Sequence, residues 1–195
     1  MALPTLETPR LRLRPFEIWD ASEVQRLAGD FRIADTTLRI PHPYEDGMAE
    51  AWIESQAEMS PQSSEIVFAI IRKEDASLVG AVGLANISHP PLKKGGQGGF
   101  NLGRDTMKSE AELGYWIGVP YWNQGYASEA GAAILDFAFS ELGLKRVHAN
   151  HFRRNPASGR VLQKLGMKSD PSAPTQVEKA GKVEIVVAYE ISAGR

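Results

Sequence analysis

Polar and apolar positions alternate along parts of this chain with a period of two and along others with the period of a helix. Near the beginning, Leu11 and Leu13 are flanked by Arg10, Arg12 and Arg14. This alternation predicts a first strand with one buried face, and a solvated basic edge strand is one interpretation of the arginines. Apolar or alternating runs predict five further strands within residues 66–72, 78–87, 111–119, 142–150 and 182–191.

Four segments carry apolar residues three or four positions apart, as on one face of a helix. They are a short segment with Val24, Leu27 and Ala28, residues 46–59, a segment with Ala130, Ile134, Leu135, Ala138 and Phe139, and residues 155–167. Asp20 and Glu23 resemble a capping box at the beginning of the first helix. Pro156 and Gly166 are typical of the beginning and the end of the last.

Two segments lack either period and are predicted to be loops. Residues 31–44 contain Pro41 and Pro43 as breakers, and residues 88–110 are rich in Gly, Pro and Lys. The order of elements is therefore β-α-α-β-β-β-α-β-α-β. Long helices between the last strands imply some parallel pairing. We expect a single α/β domain over residues 1–195, with a mixed, mostly antiparallel sheet flanked by helices.

Composition excludes several classes of protein. The net charge is −2, so no overall field recruits nucleic acid or an anionic membrane. The sequence contains no Cys, which excludes disulfides, thiol catalysis and Cys-ligated zinc. The first residues lack the apolar run of a signal peptide, and no window approaches the ~18 apolar residues of a membrane span. We therefore expect a cytoplasmic protein, and a homodimer is compatible with the sequence.

The stretch "PYWNQGYASEA", residues 120–130, lies between a predicted strand and a predicted helix. A helix N-terminus presents unpaired N–H groups and partial positive charge. Gly125 allows the backbone to approach a ligand, and Ala127 and Ser128 keep the first turn open. The pattern favours a phosphate or pyrophosphate site. A strand–loop–helix turn without a ligand has the same pattern, so both interpretations stay open on these residues alone.

Two longer motifs indicate a family. "ELGYWIGVPYWNQGYASEA", followed by "RVHANHFRRNPASGRVLQKLGM", resembles the GNAT superfamily of acetyl-CoA-dependent N-acetyltransferases. The opening "LETPRLRLRPF" is similar to that of the RimJ/RimL-type branch, and the resemblance covers residues 6–191. It implies a GNAT-like sheet in which two strands splay apart and admit acetyl-CoA, and direct attack of an amine on the acetyl group.

The resemblance also implies where acetyl-CoA binds. The pantetheine would pair with the strand backbone of Trp116, Ile117, Gly118 and Val119. The diphosphate would lie on the amides of Asn123, Gln124, Gly125, Tyr126, Ala127 and Ser128. The family motif Gln/Arg-x-x-Gly-x-Gly/Ala is matched at Gly125 and Ala127, but Trp122 occupies the position of Gln or Arg.

Three catalytic candidates follow from the same resemblance. Glu112 is expected to accept the proton of the amine through a water molecule. Asn155 is expected to face CoA, although an N-cap before Pro156 is the alternative. Ser158 matches the Asn-x-x-Ser pattern of the branch, and its hydroxyl could protonate the leaving thiolate. Leu162, at the position of the Tyr that many GNAT enzymes use, cannot donate, so Ser158 or water would supply the proton, or the thiolate leaves without a dedicated acid. The amide of a strand residue such as Ile117 could stabilise the oxyanion.

We therefore expect acetyl transfer from acetyl-CoA to a primary amine, with no metal and no covalent enzyme intermediate. The acceptor could be a protein N-terminus or a small amine such as a polyamine, an amino acid or an aminoglycoside. The alternative is a non-catalytic acyl-CoA-binding module or sensor. An ATP-dependent enzyme is disfavoured because the loop lacks a phosphate-binding Lys and a Mg²⁺-binding Asp.

Overall fold

A computed structural model describes residues 3–56, 63–88, 109–170, 172–173 and 176–194. Within these ranges nine strands form one sheet in the order β1-β2-β3-β4-β5-β6-β9-β7, with β8 paired to β9. The strands are β1 Leu6–Glu7, β2 Leu11–Arg14, β3 Ile66–Arg72, β4 Leu78–Ser88, β5 Glu110–Ile117, β6 Arg146–Phe152, β7 Lys168–Ser169, β8 Gln176–Lys179 and β9 Lys182–Ser192.

Helices cover both faces of the sheet. They are α1 Ala21–Ala28, α2 Phe31–Thr36, α3 Met48–Gln56, α4 Tyr126–Ser140 and α5 Pro156–Lys164, with short 3₁₀ turns at Ile18–Asp20 and Val119–Tyr121. The larger core packs α4 and α5 against one face, around Leu11, Leu13, Phe68 and Ile134. The smaller core packs α1 and α3 against the other face. No helix of the described residues is long and apolar enough to cross a membrane.

The pairing confirms the mixed, mostly antiparallel sheet. Every neighbouring pair of strands is antiparallel except β5 and β6. Only three residue pairs join these two strands, and the last is Glu112 with His148. Because β5 continues to Ile117 and β6 to Phe152, a gap opens between them. The expected splayed pair of strands is therefore present.

Some sequence predictions were wrong in detail. The segment 31–44 contains the helix α2, whose N-cap Asp30 accepts a hydrogen bond from the Arg32 amide. Asp20 does not cap α1 with its side chain, because its carboxylate binds Arg14 and the Glu17 amide. Strands β1, β7 and β8 were not predicted. Most of the predicted loop at 88–110 lies outside the described residues.

The carboxylate of Glu129 connects the N-terminal segment to the beginning of α4 by hydrogen bonds. Glu129 accepts hydrogen bonds from Thr8 Oγ1 (2.6 Å), Arg10 N (2.8 Å) and Arg10 Nε (2.7 Å). Its side chain is only 15% exposed. Burial alone would raise the pKa of Glu129, but the hydrogen bonds from Thr8 and Arg10 outweigh it and hold the pKa below its ordinary value of 4.5. Glu129 is therefore held in its charged form.

We predict that Glu129→Gln destabilises the protein at pH 7 by about 2 kcal/mol, the usual scale for hydrogen bonds to a charged group. The folded pKa lies below the unfolded one, so the stabilisation is fully present above the unfolded value and is lost as the pH falls through the folded value. Urea unfolding between about pH 7 and about pH 3 should show the two free energies of unfolding converging at low pH.

The matched control is Glu23→Gln, which removes an exposed ion pair with Arg26 on α1. We expect this change to cost less than about 1 kcal/mol at every pH. A Glu129→Gln deficit that persists unchanged to the lowest pH would show that packing, and not the charge of Glu129, holds the N-terminal strands.

Candidate functional site

The loop before α4 is shaped by a glycine in the left-handed region. Gly125 is the N-cap of α4 with φ 83° and ψ 3°. The first amide of this turn to find a backbone acceptor is that of Glu129, which donates to Gly125 O at 3.1 Å. Within the described ranges, the amides of residues 123–128 donate to no protein acceptor. The amides of Tyr126, Ala127 and Ser128, in the first turn of α4 and in the cleft lining, are thus free to bind an anion.

Side chains hold this loop from outside the amides. Trp122 Nε1 donates to the carbonyl oxygen of Ile117 at 2.6 Å. Arg10 Nη1 donates to Gln124 O at 3.0 Å, and the guanidinium lies 4.9 Å from the centre of the Tyr126 ring. The tryptophan that replaces the Gln or Arg of the motif thus ties the loop to β5. The nearest heavy atom to an added Cβ at Gly125 is Arg10 Nη2, at 3.4 Å.

The backbone of β5 faces both its partner strand and the gap. Gly118 N donates to Val79 O of β4 at 2.8 Å. Because backbone groups alternate along an antiparallel strand, those of Tyr115 and Ile117 point away from β4 and into the gap. Of the four residues predicted to pair with pantetheine, Gly118 therefore has its amide engaged, and Ile117 has its N–H directed into the gap.

A carboxylate lies where the gap begins. Glu112 accepts hydrogen bonds from Asn86 Nδ2 (3.1 Å) and Asn150 Nδ2 (3.3 Å), on β4 and β6. Neutral amides fix the carboxylate and leave it lone pairs for a further donor. Gly114 follows on the same face of β5, and a Cβ there would meet no atom within 4 Å. There is thus open space beside Glu112 for an acceptor.

The first turn of α5 lies across the gap. Asn155 caps this helix, because its Oδ1 accepts from Ser158 N at 3.3 Å. The N-cap interpretation is confirmed, and contact of Asn155 with CoA stays a prediction. Ser158 Oγ lies 2.7 Å from Tyr115 Oη. Burial outweighs this hydrogen bond and raises the pKa of Tyr115 to about 12. Leu162 is 1% exposed and belongs to the core.

One cleft of about 1240 Å³ joins these groups. Of the predicted site residues, its lining includes Glu112, Trp116, Ile117, Asn123, Gly125, Tyr126, Ala127, Ser128, Asn155 and Ser158. Gly118, Val119 and Gln124 are not in the lining of this cleft. Across the described ranges, no three His, Asp or Glu side chains form a group that could hold a metal ion.

Sequence reasoning missed Tyr115, Asn86 and Asn150. Alternation along β5 puts Tyr115 on the face opposite Glu112, but its partner Ser158 lies 43 positions later and no local signal connects them. The polar Asn150 within a strand was a usable signal. Asn86 was harder to find because it has φ 52° where the register of β4 shifts.

Comparisons with known proteins bear on the family and the fold of this chain. A relative from Bacillus licheniformis, named an uncharacterized N-acetyltransferase p20, is 28% identical over 169 residues, which are 86% of this chain and 84% of the relative. The ribosomal-protein-S5-alanine acetyltransferase from Vibrio fischeri has a similar fold, with a TM-score of 0.77, 18% identity and 97% of each chain covered.

A third similar structure is the microcin C7 self-immunity acetyltransferase MccE, solved in complex with acetyl-CoA and AMP. It has a TM-score of 0.76 and 15% identity, and the match covers 95% of this chain and 93% of that one. The model of the acetyltransferase (GNAT) domain matches residues 10–168 of the present sequence. The chain therefore belongs to the GNAT family of acetyltransferases.

Proposed function

We propose that this acetyltransferase moves the acetyl group of acetyl-CoA directly to a primary amine. The observation that carries the proposal is the gap between β5 and β6, with free amides at one end and the carboxylate of Glu112 at the other. An extended ligand can pair with the exposed edge of β5 while an anion binds the helix N-terminus. Acetyl-CoA has both of these parts.

The residues fit such a ligand. The amides of residues 123–128 would hold the diphosphate, with Gly125 adding no side chain above them. The N–H groups of Tyr115 and Ile117 would face the pantetheine and the acetyl carbonyl. The N–H of Ile117 is a donor directed into the gap and could bind an oxyanion, while Trp122 holds the carbonyl of the same residue. Asn155 and Ser158 would meet the ligand from α5.

Glu112 would act on the acceptor. An amine must lose a proton to complete its attack, and a carboxylate within reach of one water can accept that proton. The hydrogen bonds from Asn86 and Asn150 hold Glu112 at the beginning of the gap, beside the open face of Gly114. The ion pair of Arg39 with Glu65 lies elsewhere in the cleft lining.

The acceptor is a protein N-terminal amine or a small-molecule amine. The similarity to a ribosomal-protein acetyltransferase supports the protein N-terminus. Among the described residues that line the cleft, two are carboxylates, Glu65 and Glu112, and Glu65 is already paired with Arg39. Glu112 is thus the carboxylate of the cleft that suits a single amino group. The cellular compartment that we expect is still the cytoplasm.

We predict that the protein binds acetyl-CoA near 1:1 with micromolar affinity, and that Gly125→Trp abolishes this binding. Micromolar affinity corresponds to about 8 kcal/mol, enough for a calorimetric titration. The indole would cover the amides, and a residue with a side chain is also strained at φ 83°. The control is Gly143→Trp, because Gly143 has φ 66° and open space around it near the other end of α4.

Loss of binding in both variants would indicate unfolding, which a thermal melt would detect. In that case Gly125→Ala, with a much smaller side chain, would replace Gly125→Trp as the test of the loop. If a folded Gly125→Trp variant still binds acetyl-CoA, the loop at residues 123–128 is not part of the acetyl-CoA site. A native chain that does not bind acetyl-CoA would overturn the proposed function.

We predict that Glu112→Gln lowers kcat by about 10²–10⁴-fold, the usual contribution of a general base, while the Kd for acetyl-CoA stays the same. Thiol release would be measured with peptides bearing free N-termini, spermidine, amino acids and an aminoglycoside. The control is Glu110→Gln, which removes a carboxylate of the same strand that binds Arg146. Acetyl-CoA binding without turnover of any amine would favour the non-catalytic module.

A further inference from the structure

We propose that Tyr115 positions the hydroxyl of Ser158 as a hydrogen-bond donor to the sulfur that leaves when the acetyl group is transferred. This inference rests on the proposed function, since it needs the thioester to lie in the gap between β5 and β6. It assigns to a strand tyrosine a role that no family motif in this chain provides. The helix position where many GNAT enzymes carry a tyrosine is the buried Leu162.

The contacts of Ser158 fix its place. Its backbone N–H donates to Asn155 Oδ1 at 3.3 Å, which holds the first turn of α5. Its Oγ lies 2.7 Å from Tyr115 Oη, and the Tyr115 hydroxyl also donates to the Ser158 carbonyl oxygen at 3.2 Å. Tyr115 reaches α5 from β5, so the pair connects β5 with the first turn of α5, which lies across the gap. Both residues line the cleft.

The two hydroxyl protons of Tyr115 and Ser158 decide where Ser158 can donate. Each hydroxyl has one proton to donate. When the Tyr115 proton is shared between the Ser158 carbonyl oxygen and Ser158 Oγ, both of which accept from it, the Ser158 proton is free to turn toward the cleft. A phenylalanine at position 115 would remove the hydrogen bond that Ser158 Oγ accepts from Tyr115. The Ser158 proton could then turn to a backbone carbonyl of the preceding turn. Tyr115 therefore sets the direction in which Ser158 donates.

Donation, and not proton transfer, is the step that fits these groups. An ordinary thiol has a pKa of about 8.5, whereas burial raises the pKa of Tyr115 to about 12. Moving the tyrosine proton to the thiolate through Ser158 would therefore be uphill. The amine nitrogen forms a bond to the acetyl carbon, the carbon–sulfur bond breaks, its electron pair stays on sulfur, and Ser158 donates a hydrogen bond to the thiolate. The proton of the amine goes to Glu112 through water, and solvent later protonates the thiolate.

The test does not require the acceptor to be known. CoA and desulfo-CoA, which lacks the sulfur, would be titrated calorimetrically between about pH 7 and about pH 9.5, across the pKa of a thiol. In the native protein, we expect the affinity ratio of CoA to desulfo-CoA to rise with pH, because the bound thiolate accepts from Ser158. Other titratable groups of the cleft, Glu112 and His151 among them, meet both ligands and cancel in the ratio.

Tyr115→Phe should reduce the high-pH ratio about tenfold, the scale of one hydrogen bond, and leave desulfo-CoA binding unchanged. Ser158→Ala should do the same, and the double variant should lose no more than Ser158→Ala alone, because Tyr115 acts through Ser158. With an acceptor in hand, Tyr115→Phe should lower kcat while KM for acetyl-CoA holds, which mere loss of packing would not produce.

Three results would overturn the proposal. A ratio independent of pH in the native protein would mean that Ser158 does not meet the sulfur. A loss in Ser158→Ala with none in Tyr115→Phe would remove the tyrosine from the assignment. Equal losses of affinity for both ligands in Tyr115→Phe would indicate a structural role. If the native chain binds neither ligand, the proposed function itself fails, so the two failures are distinguishable.

Discussion

The parting of β5 from β6 is the constraint on which the rest of the structure depends. Interior strands of a sheet normally pair on both sides, since buried N–H and C=O groups without partners are costly. Here the two strands share three residue pairs and then separate, although each runs on for several residues. The inner edge of β5, at Tyr115 and Ile117, therefore has no partner strand, although the Ile117 carbonyl accepts from Trp122. The same separation creates the cleft in which we propose that acetyl-CoA binds.

An exposed edge and an uncapped helix must be held by contacts that do not fill the site. Glu129 connects the N-terminal strands to the first turn of α4 without using the loop amides. Trp122 fixes the loop from the side of β5, and Arg10 contacts the carbonyl of Gln124. None of these contacts uses the amides of residues 123–128 as donors, so a fixed loop and free amides are compatible. A lone carboxylate near an anion site would repel the ligand, and Arg10 also offsets that charge.

Much of this architecture could be predicted from the sequence because the signals are local. The strand at Ile66–Arg72 and the hairpin that it forms with β4 follow from uninterrupted apolar runs and a polar turn. The loop at Gly125 could be placed because a strand, a glycine and a helical stripe follow one another. The helix α2 was missed because six residues are too few to repeat an apolar stripe. Its signal was a single residue, the N-cap Asp30.

The chemistry was less predictable because it depends on residues far apart in the chain. Glu112 could be named from its motif, but the amides that hold it come from Asn86 and Asn150, on the strands at either side. Whether Asn155 caps a helix or meets a ligand is not an exclusive choice, since a cap fixes the backbone of Ser158 in either case.

Tyr115 shows most clearly why the contacts of the site could not be predicted from the sequence. Alternation along β5 puts its side chain on the face opposite Glu112, and this face packs against the larger core. Its hydroxyl nonetheless meets Ser158 because α5 begins across the gap from β5. A buried tyrosine needs a hydrogen-bond partner for its O–H, and here the partner is a residue of the cleft. The hydrogen bond that the buried Tyr115 hydroxyl needs is therefore also the contact that, in our proposal, orients the Ser158 hydroxyl toward the thioester.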